Sequence, residues 1–175
     1  MPANLLLTGA PGCGKTTIIE KVVSALPWGM AGGFFTRELR QGRGRIGFEV
    51  CTLTGERAVL AHVDIVSRHR VGRYGIDVAT FERVGVAALE RAIAAGLWVI
   101  VDEIGKMELF SERFRRALIA ALDGPIPVLA TISARPHPWC DQIKARLDVE
   151  LWTVTPQNRD ALPRRALEWL SARRV

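Results

Sequence analysis

The eight residues Gly9-Ala10-Pro11-Gly12-Cys13-Gly14-Lys15-Thr16 match the pattern G-x-x-x-x-G-K-[ST] in full. They follow a short apolar run, Asn4–Thr8, and open a stretch whose apolar residues recur at helical spacing. Strand, glycine-rich turn, then helix is the context in which this pattern cradles phosphates. Glycines let backbone N–H groups turn inward around an anion without Cβ clashes. The helix N-terminus adds partial positive charge. In this reading Lys15 reaches the β- and γ-phosphates, and the Thr16 hydroxyl ligates Mg²⁺.

Outward from that turn, Lys15–Leu26 reads as a helix with Ile18, Ile19, Val22, Val23 and Leu26 on one face, stopped by Pro27. Gly33–Arg37, Ile46–Leu53 and Ala58–Ala61 read as strands joined by turns at Gln41–Arg45 and Thr54-Gly55, an antiparallel meander inserted after the first helix. Asp77–Ala95 is helical and closes at Gly96; Leu97–Asp102 is a buried strand that ends in an acid. Ser111 is placed to cap the next helix, Val128–Ile132 and Val149–Val154 are strands, and Asn158 or Asp160 is expected to cap the last helix. Strands alternating with helices predict a mainly parallel α/β sheet covered on both faces, made mixed by the meander. With 175 residues, this is expected to be one domain spanning 1–175.

Composition narrows the function classes. Nearly half the residues are apolar, which argues against disorder, and no apolar run approaches the ~20 residues that cross a bilayer. The N-terminal segment carries no basic n-region and its apolar run stops at Thr8, so a strand is expected there and not a secretory signal. Cys13, Cys51 and Cys140 form neither a disulfide framework nor a metal clip, which points to a reducing cytoplasm. The formal net charge of +6 comes from arginine, with twenty Arg against four Lys. That excess admits nucleic acid as a partner, but there is no basic–aromatic interleaving to support it.

The strand Trp98-Val99-Ile100-Val101-Asp102-Glu103 carries the second chemical signal. A hydrophobic strand delivers Asp102 to the sheet edge that also carries the phosphate loop, where a carboxylate can hold Mg²⁺. Glu103 follows at once and can orient a water for in-line attack. Three residues on, Lys106 can stabilise a transferring phosphoryl group or belong to a solvated loop. Glu108 can position Lys106 or join the catalytic shell. Thr131, at a strand end, reads as a γ-phosphate sensor or as an ordinary β-branched strand residue. Asn158-Arg159 can contact a base, or be a helix cap and a surface charge. Arg37, Arg73 and Arg135 are arginine-finger candidates. Tyr74 can stack on a base or be buried. His62, His69 and His137 have no metal spacing. Cys13 sits beside Lys15 at a helix N-terminus, a setting that favours thiolate.

In these residues the chain resembles the small Walker-type (P-loop) nucleoside-triphosphatases, the family that includes the cancer-related nucleoside-triphosphatase. The resemblance runs through GAPGCGKTT (Gly9–Thr17), GFFTRELR (Gly33–Arg40), RIGFEV (Arg45–Val50), VGRYGIDV (Val71–Val78), VDEIGKMELFS (Val101–Ser111), VLATIS (Val128–Ser133) and TPQNRD (Thr155–Asp160). VDEIGKMELFS is the most diagnostic of these. Cys13 departs from the valine expected in the loop. The resemblance implies a single-domain P-loop fold with a hairpin-like insertion. It also implies Mg²⁺-dependent hydrolysis of nucleoside 5′-triphosphates such as ATP and GTP, with broad base tolerance. It assigns Gly9, Ala10, Pro11, Gly12, Cys13, Gly14, Lys15, Thr16 and Thr17 to nucleotide binding, together with Ile100, Val101, Asp102, Glu103, Ile104, Gly105, Lys106 and Met107, and so strengthens the functional reading of Lys106. Two other functions compete: a nucleotide or small-molecule kinase, and a nucleotide-switched nucleic-acid-binding module. Glu103 beside Asp102 suits water activation, whereas a kinase closes a lid to exclude water.

Overall fold

The structure is a computed structural model that describes residues 3–173. Its strands are β1 (Asn4–Thr8), β2 (Ala31–Gln41), β3 (Gly44–Thr52), β4 (Arg57–His62), β5 (Arg70–Val71), β6 (Tyr74–Ile76), β7 (Trp98–Ile104), β8 (Val128–Ile132) and β9 (Val149–Thr153). All nine join one sheet in the order β5-β6-β4-β3-β2-β7-β8-β1-β9. The five strands β2-β7-β8-β1-β9 pair parallel, and the other four extend them as an antiparallel meander. The meander is larger than the sequence pattern predicts: β5 and β6 are two and three residues long, too short to show a period.

The helices are α1 (Lys15–Ala25), α2 (Val78–Phe81), α3 (Ala87–Ala94), α4 (Glu112–Asp123), α5 (Pro138–Lys144) and α6 (Leu162–Ser171). A π-helical turn at Glu82–Val86 joins α2 to α3, so the helix expected over Asp77–Ala95 is continuous but locally widened. Strand alternation decides which face each helix covers. Leu5, Leu7, Ile100 and Leu129 point to the side of α1 and α6, while Leu6, Val99, Val101 and Ala130 point to the side of α3, α4 and α5. On the second face Phe34, Phe81 and Phe114, all fully buried, meet edge-on with ring centroids 5.3–6.0 Å apart, a geometry that adds to simple area burial.

Ser111 caps α4 as its position predicts, accepting a hydrogen bond from Phe114 N at 3.0 Å. The cap expected at Asn158 or Asp160 is not formed: α6 starts after Ala161 with no side-chain cap. Asn158 is used one turn earlier, where its Oδ1 accepts from Thr155 N and its Nδ2 donates to Thr153 O, both at 2.8 Å. Helix α5 is absent from the sequence reading because Pro136-His137-Pro138 looks like a loop; Pro138 instead opens the helix, where a missing N–H costs nothing.

The joint between the meander and the parallel sheet rests on Gly33. It has φ +118°, and a Cβ there would lie 2.0 Å from the Ile100 carbonyl oxygen on β7. Gly33→Ala is expected to lower unfolding stability by about 2 kcal/mol or more, from backbone strain plus the forced separation of β2 and β7. Gly44→Ala, whose added Cβ meets nothing closer than 3.6 Å, is the control and should stay within about 1 kcal/mol of the parent in urea titration.

Candidate active site

The C-terminal ends of β1, β7 and β8 lie side by side at one edge of the sheet, and the loop from β1 to α1 folds over them. Packing enforces the loop's glycines. A Cβ on Gly9 would sit 2.7 Å from the Val154 carbonyl oxygen and 2.8 Å from Cys13 Sγ, and Gly14 holds φ +108° as the residue that enters α1. Helix α1 has no side-chain cap and no acidic residue in its first turn. Its opening N–H groups are thus left for an anion, and the helix dipole favours one there. Lys15 folds back across the loop, its Nζ donating to the Gly9 carbonyl at 2.9 Å and the Ala10 carbonyl at 3.3 Å.

Beneath the loop, Asp102 on β7 is 2% exposed. Thr16 Oγ1 donates to its Oδ2 at 2.8 Å, and Thr131 Oγ1 on β8 donates to its Oδ1. Burial raises the Asp102 carboxyl above its ordinary range, while the two hydroxyls and the Lys15 charge pull it back down. Thr131 therefore has a role the sequence reading did not contain: it anchors the carboxylate. The β7–β8 register that sets Val101 beside Ala130 brings it to Asp102, and a pairing across strands has no signature in linear spacing.

Glu103 is next along β7. Burial raises its carboxyl first, the Asp102 charge raises it further, and Lys15 opposes both. A Cβ on Gly105 would stand 3.6 Å from its Cδ and 3.2 Å from the Oε2 of Glu108. Glu108 is nine-tenths buried or more and is pushed up from 4.5 to about 8, by burial and then by the Glu103 charge. It does not position Lys106. Lys106 is exposed and, among the described residues, forms no side-chain hydrogen bond or ion pair, because the turn after β7 sends the two side chains to opposite environments.

The other candidates divide by location. Ile100, Val101 and Ile104 are fully buried and fill the core, with Met107 packed against it. Ala10, Pro11, Gly12 and Thr17 are exposed around the loop, and Cys13 is buried under it. Arg159 lies with its Cδ 3.6 Å from a Cβ at Gly14 and lines a cavity of about 220 Å³ with Lys21 and Asp160. Arg37 is paired with Glu20 at 3.3 Å. Arg73 donates to the Arg45 carbonyl, and Tyr74 is buried against Phe48 in the meander, with its hydroxyl on Arg45. Arg135 stands beyond β8 at the same sheet edge, exposed, its side chain without an ion pair among the described residues.

A sequence model of the NTPase family matches residues 4–167. The chain belongs to that family. It is 44% identical to the nucleoside-triphosphatase THEP1 of Thermotoga maritima over 91% of this chain and 90% of that protein. It is 39% identical to the human cancer-related nucleoside-triphosphatase over 93% of each. The crystal structure of THEP1 from the hyperthermophile Aquifex aeolicus superposes with a TM-score of 0.88 at 36% identity, covering 95% of this chain and 98% of that one. The single-domain α/β P-loop fold and the enzyme class expected from the sequence therefore hold. No helix among the described residues is long and apolar enough to cross a membrane.

The buried Glu108 carboxyl makes stability depend on pH. The fold keeps its proton up to about pH 8, whereas an unfolded chain releases it near 4.5. Unfolding thus sheds a proton between these values, and stability falls as pH rises through that window. Glu108→Gln removes this contribution. The melting temperature of the variant minus that of the parent is expected to become more positive by several degrees between about pH 5 and about pH 8. A flat difference would mean that Glu108 is ionised in the fold.

Proposed function

We propose that this chain hydrolyses nucleoside 5′-triphosphates to the diphosphate and phosphate, with Mg²⁺ and with little regard for the base. The observation that carries this reading is the Thr16–Asp102–Thr131 cluster, set under an open, uncapped helix N-terminus and beside Lys15 and Glu103. The ligands it would offer a cation are the Thr16 hydroxyl and the Asp102 carboxylate. Mg²⁺ prefers such hard oxygen ligands, filled out by water and phosphate oxygens in place of a full protein cage. No group of three or more His, Cys, Asp or Glu residues among the described residues forms such a cage. Thr16 and Asp102 would hold the ion, which when bound neutralises charge on the β- and γ-phosphates.

In this reading the loop amides and Lys15 bind the phosphates and stabilise the charge that develops on them. Glu103 orients a water toward the γ-phosphorus and takes its proton. A new P–O bond forms, the bond to the β–γ bridging oxygen breaks, and the diphosphate leaves with that oxygen. The raised carboxyl of Glu103 makes it a stronger base than an ordinary surface glutamate. In this reading Lys106, on the exposed turn after β7, would meet charge on the transferring phosphoryl group, and Arg159 would lie along the nucleoside. Base tolerance is supported by Asn158, whose amide oxygen and nitrogen are already engaged by its own turn. Without a dedicated hydrogen-bonding pocket, discrimination of ~10⁴-fold between bases is out of reach. The three free cysteines fit a reducing compartment, the cytoplasm.

Phosphate release with no acceptor present separates this activity from a kinase. Lys15→Ala is expected to abolish release and to weaken triphosphate binding sharply. Glu103→Gln should bind ATP·Mg²⁺ like the parent yet turn over about 10²–10⁴-fold more slowly, because Gln keeps the shape and loses the base. ATP, GTP, CTP and UTP should be used within about tenfold of one another. Full activity in Glu103→Gln would overturn the water-activating role of Glu103, strict use of one nucleotide would overturn the base tolerance, and undiminished release by Lys15→Ala would overturn the assignment of the loop.

A further inference from the structure

A second, larger cavity of about 530 Å³ lies at the opposite end of the sheet, where β2 and β7 begin. It is walled by the last turn of α1 and the α1–β2 link, by the β3–β4 turn, and by α3. Nucleotide at the phosphate loop would sit beyond the C-terminal ends of the same parallel strands, so this space is separate from it. Its size falls within the range of pockets that enclose a small organic ligand.

The chemistry of the wall is lopsided. Leu26, Trp28, Leu53, Ala88 and Ala92 supply apolar surface, and Trp28 stands 87% exposed beside the mouth. The hydroxyls present are already engaged within the protein. Ser24 Oγ donates to the Glu20 carbonyl, Thr52 and Thr54 bond each other at 3.0 Å, and Thr52 Oγ1 also accepts from Glu56 N. Arg91 on α3 is the single charged residue in the lining, and no acidic side chain shares it. Among the described residues Arg91 forms no ion pair, although the neighbouring Glu90 is held by Arg113 at 2.6 Å. An apolar cavity with one available guanidinium complements a ligand that is apolar along its length and anionic at one end.

We propose that this cavity binds a small amphipathic carboxylate, its acyl or aryl tail lying on Leu26, Trp28, Leu53, Ala88 and Ala92 and its carboxylate on Arg91. A carboxylate suits the planar guanidinium, which offers two parallel N–H donors to two oxygens. The site needs no nucleotide and uses none of the residues placed in the phosphate loop or on the ends of β7 and β8.

The test is isothermal titration of the nucleotide-free full chain with decanoate, below its micellar concentration, and with decanol, which keeps the tail and removes the charge. Saturable binding of one decanoate per chain is expected, with decanol weaker by about tenfold or more. Arg91→Gln, on an exposed position, should weaken decanoate by a similar factor and leave decanol unchanged, while Arg91→Lys recovers part of the loss. Ala95→Trp, placed at an exposed lining position, should block both ligands. The proposal is overturned if decanoate does not bind, if decanoate and decanol bind alike, or if Arg91→Gln leaves decanoate affinity intact. It is also overturned if sedimentation shows a dimer that Trp28→Ala dissociates and that excludes decanoate, since a second copy would then be the occupant. Because phosphate release is not read, failure here leaves the proposed hydrolysis untouched.

Discussion

A carboxylate withdrawn from water pays several kcal/mol of desolvation even after the protein relaxes around it. Asp102 is such a group, and two hydroxyls answer it, one from α1 and one from β8. Hydrogen bonds to a charged group contribute about 1.5–3 kcal/mol each, so the pair roughly offsets the penalty and leaves no large surplus. The nearby Lys15 ammonium adds attraction. A buried carboxylate held near balance in this way retains capacity for a further cation, whereas one in a tight ion pair would have spent it. The same three residues fasten the start of α1 to the sheet edge, so holding the proposed metal position and holding the loop are a single task.

Topology makes that fastening possible. β8 lies between β1 and β7, which lets Thr131 stand beside the strand that carries the acid while the loop after β1 reaches over from the other side. The apolar interior of these strands fixes their register, and the register fixes which side chains emerge together at the end. At the other end β7 and its neighbour β2 begin among apolar side chains, and there the packing opens into a cavity. One end of the sheet thus gathers polar groups around phosphate chemistry, and the other gathers apolar surface around a single arginine.

What could be read from the sequence was what a local pattern encodes. The glycine-rich loop, the acid on β7 and the Ser111 cap each follow from residues within a few positions of one another; the strand expected to stop at Asp102 runs on through Glu103 to Ile104. Thr131 was ambiguous because its partner is 29 residues away on another strand. Glu108 and Lys106 looked like a possible pair because they are two residues apart, yet the short turn after β7 buries one and exposes the other. Asn158 looked like a helix cap because Asn favours caps, but the same side chain equally favours closing a turn, and that use won. The meander's last strands and helix α5 were missed because short elements, or prolines at a helix start, carry little periodicity.

Asp102, fixed by Thr16 and Thr131, is the proposed meeting point of the protein with the metal of a metal–triphosphate complex. Measuring ATP affinity with and without Mg²⁺ by equilibrium binding tests this without relying on turnover. In the parent, Mg²⁺ should strengthen ATP binding. In Asp102→Asn that gain should shrink by about tenfold or more, because a neutral amide is a poor partner for the ion, and Thr131→Val should fall between the two. An Asp102→Asn protein that folds and keeps the full Mg²⁺-dependent gain would contradict a metal-holding role for Asp102.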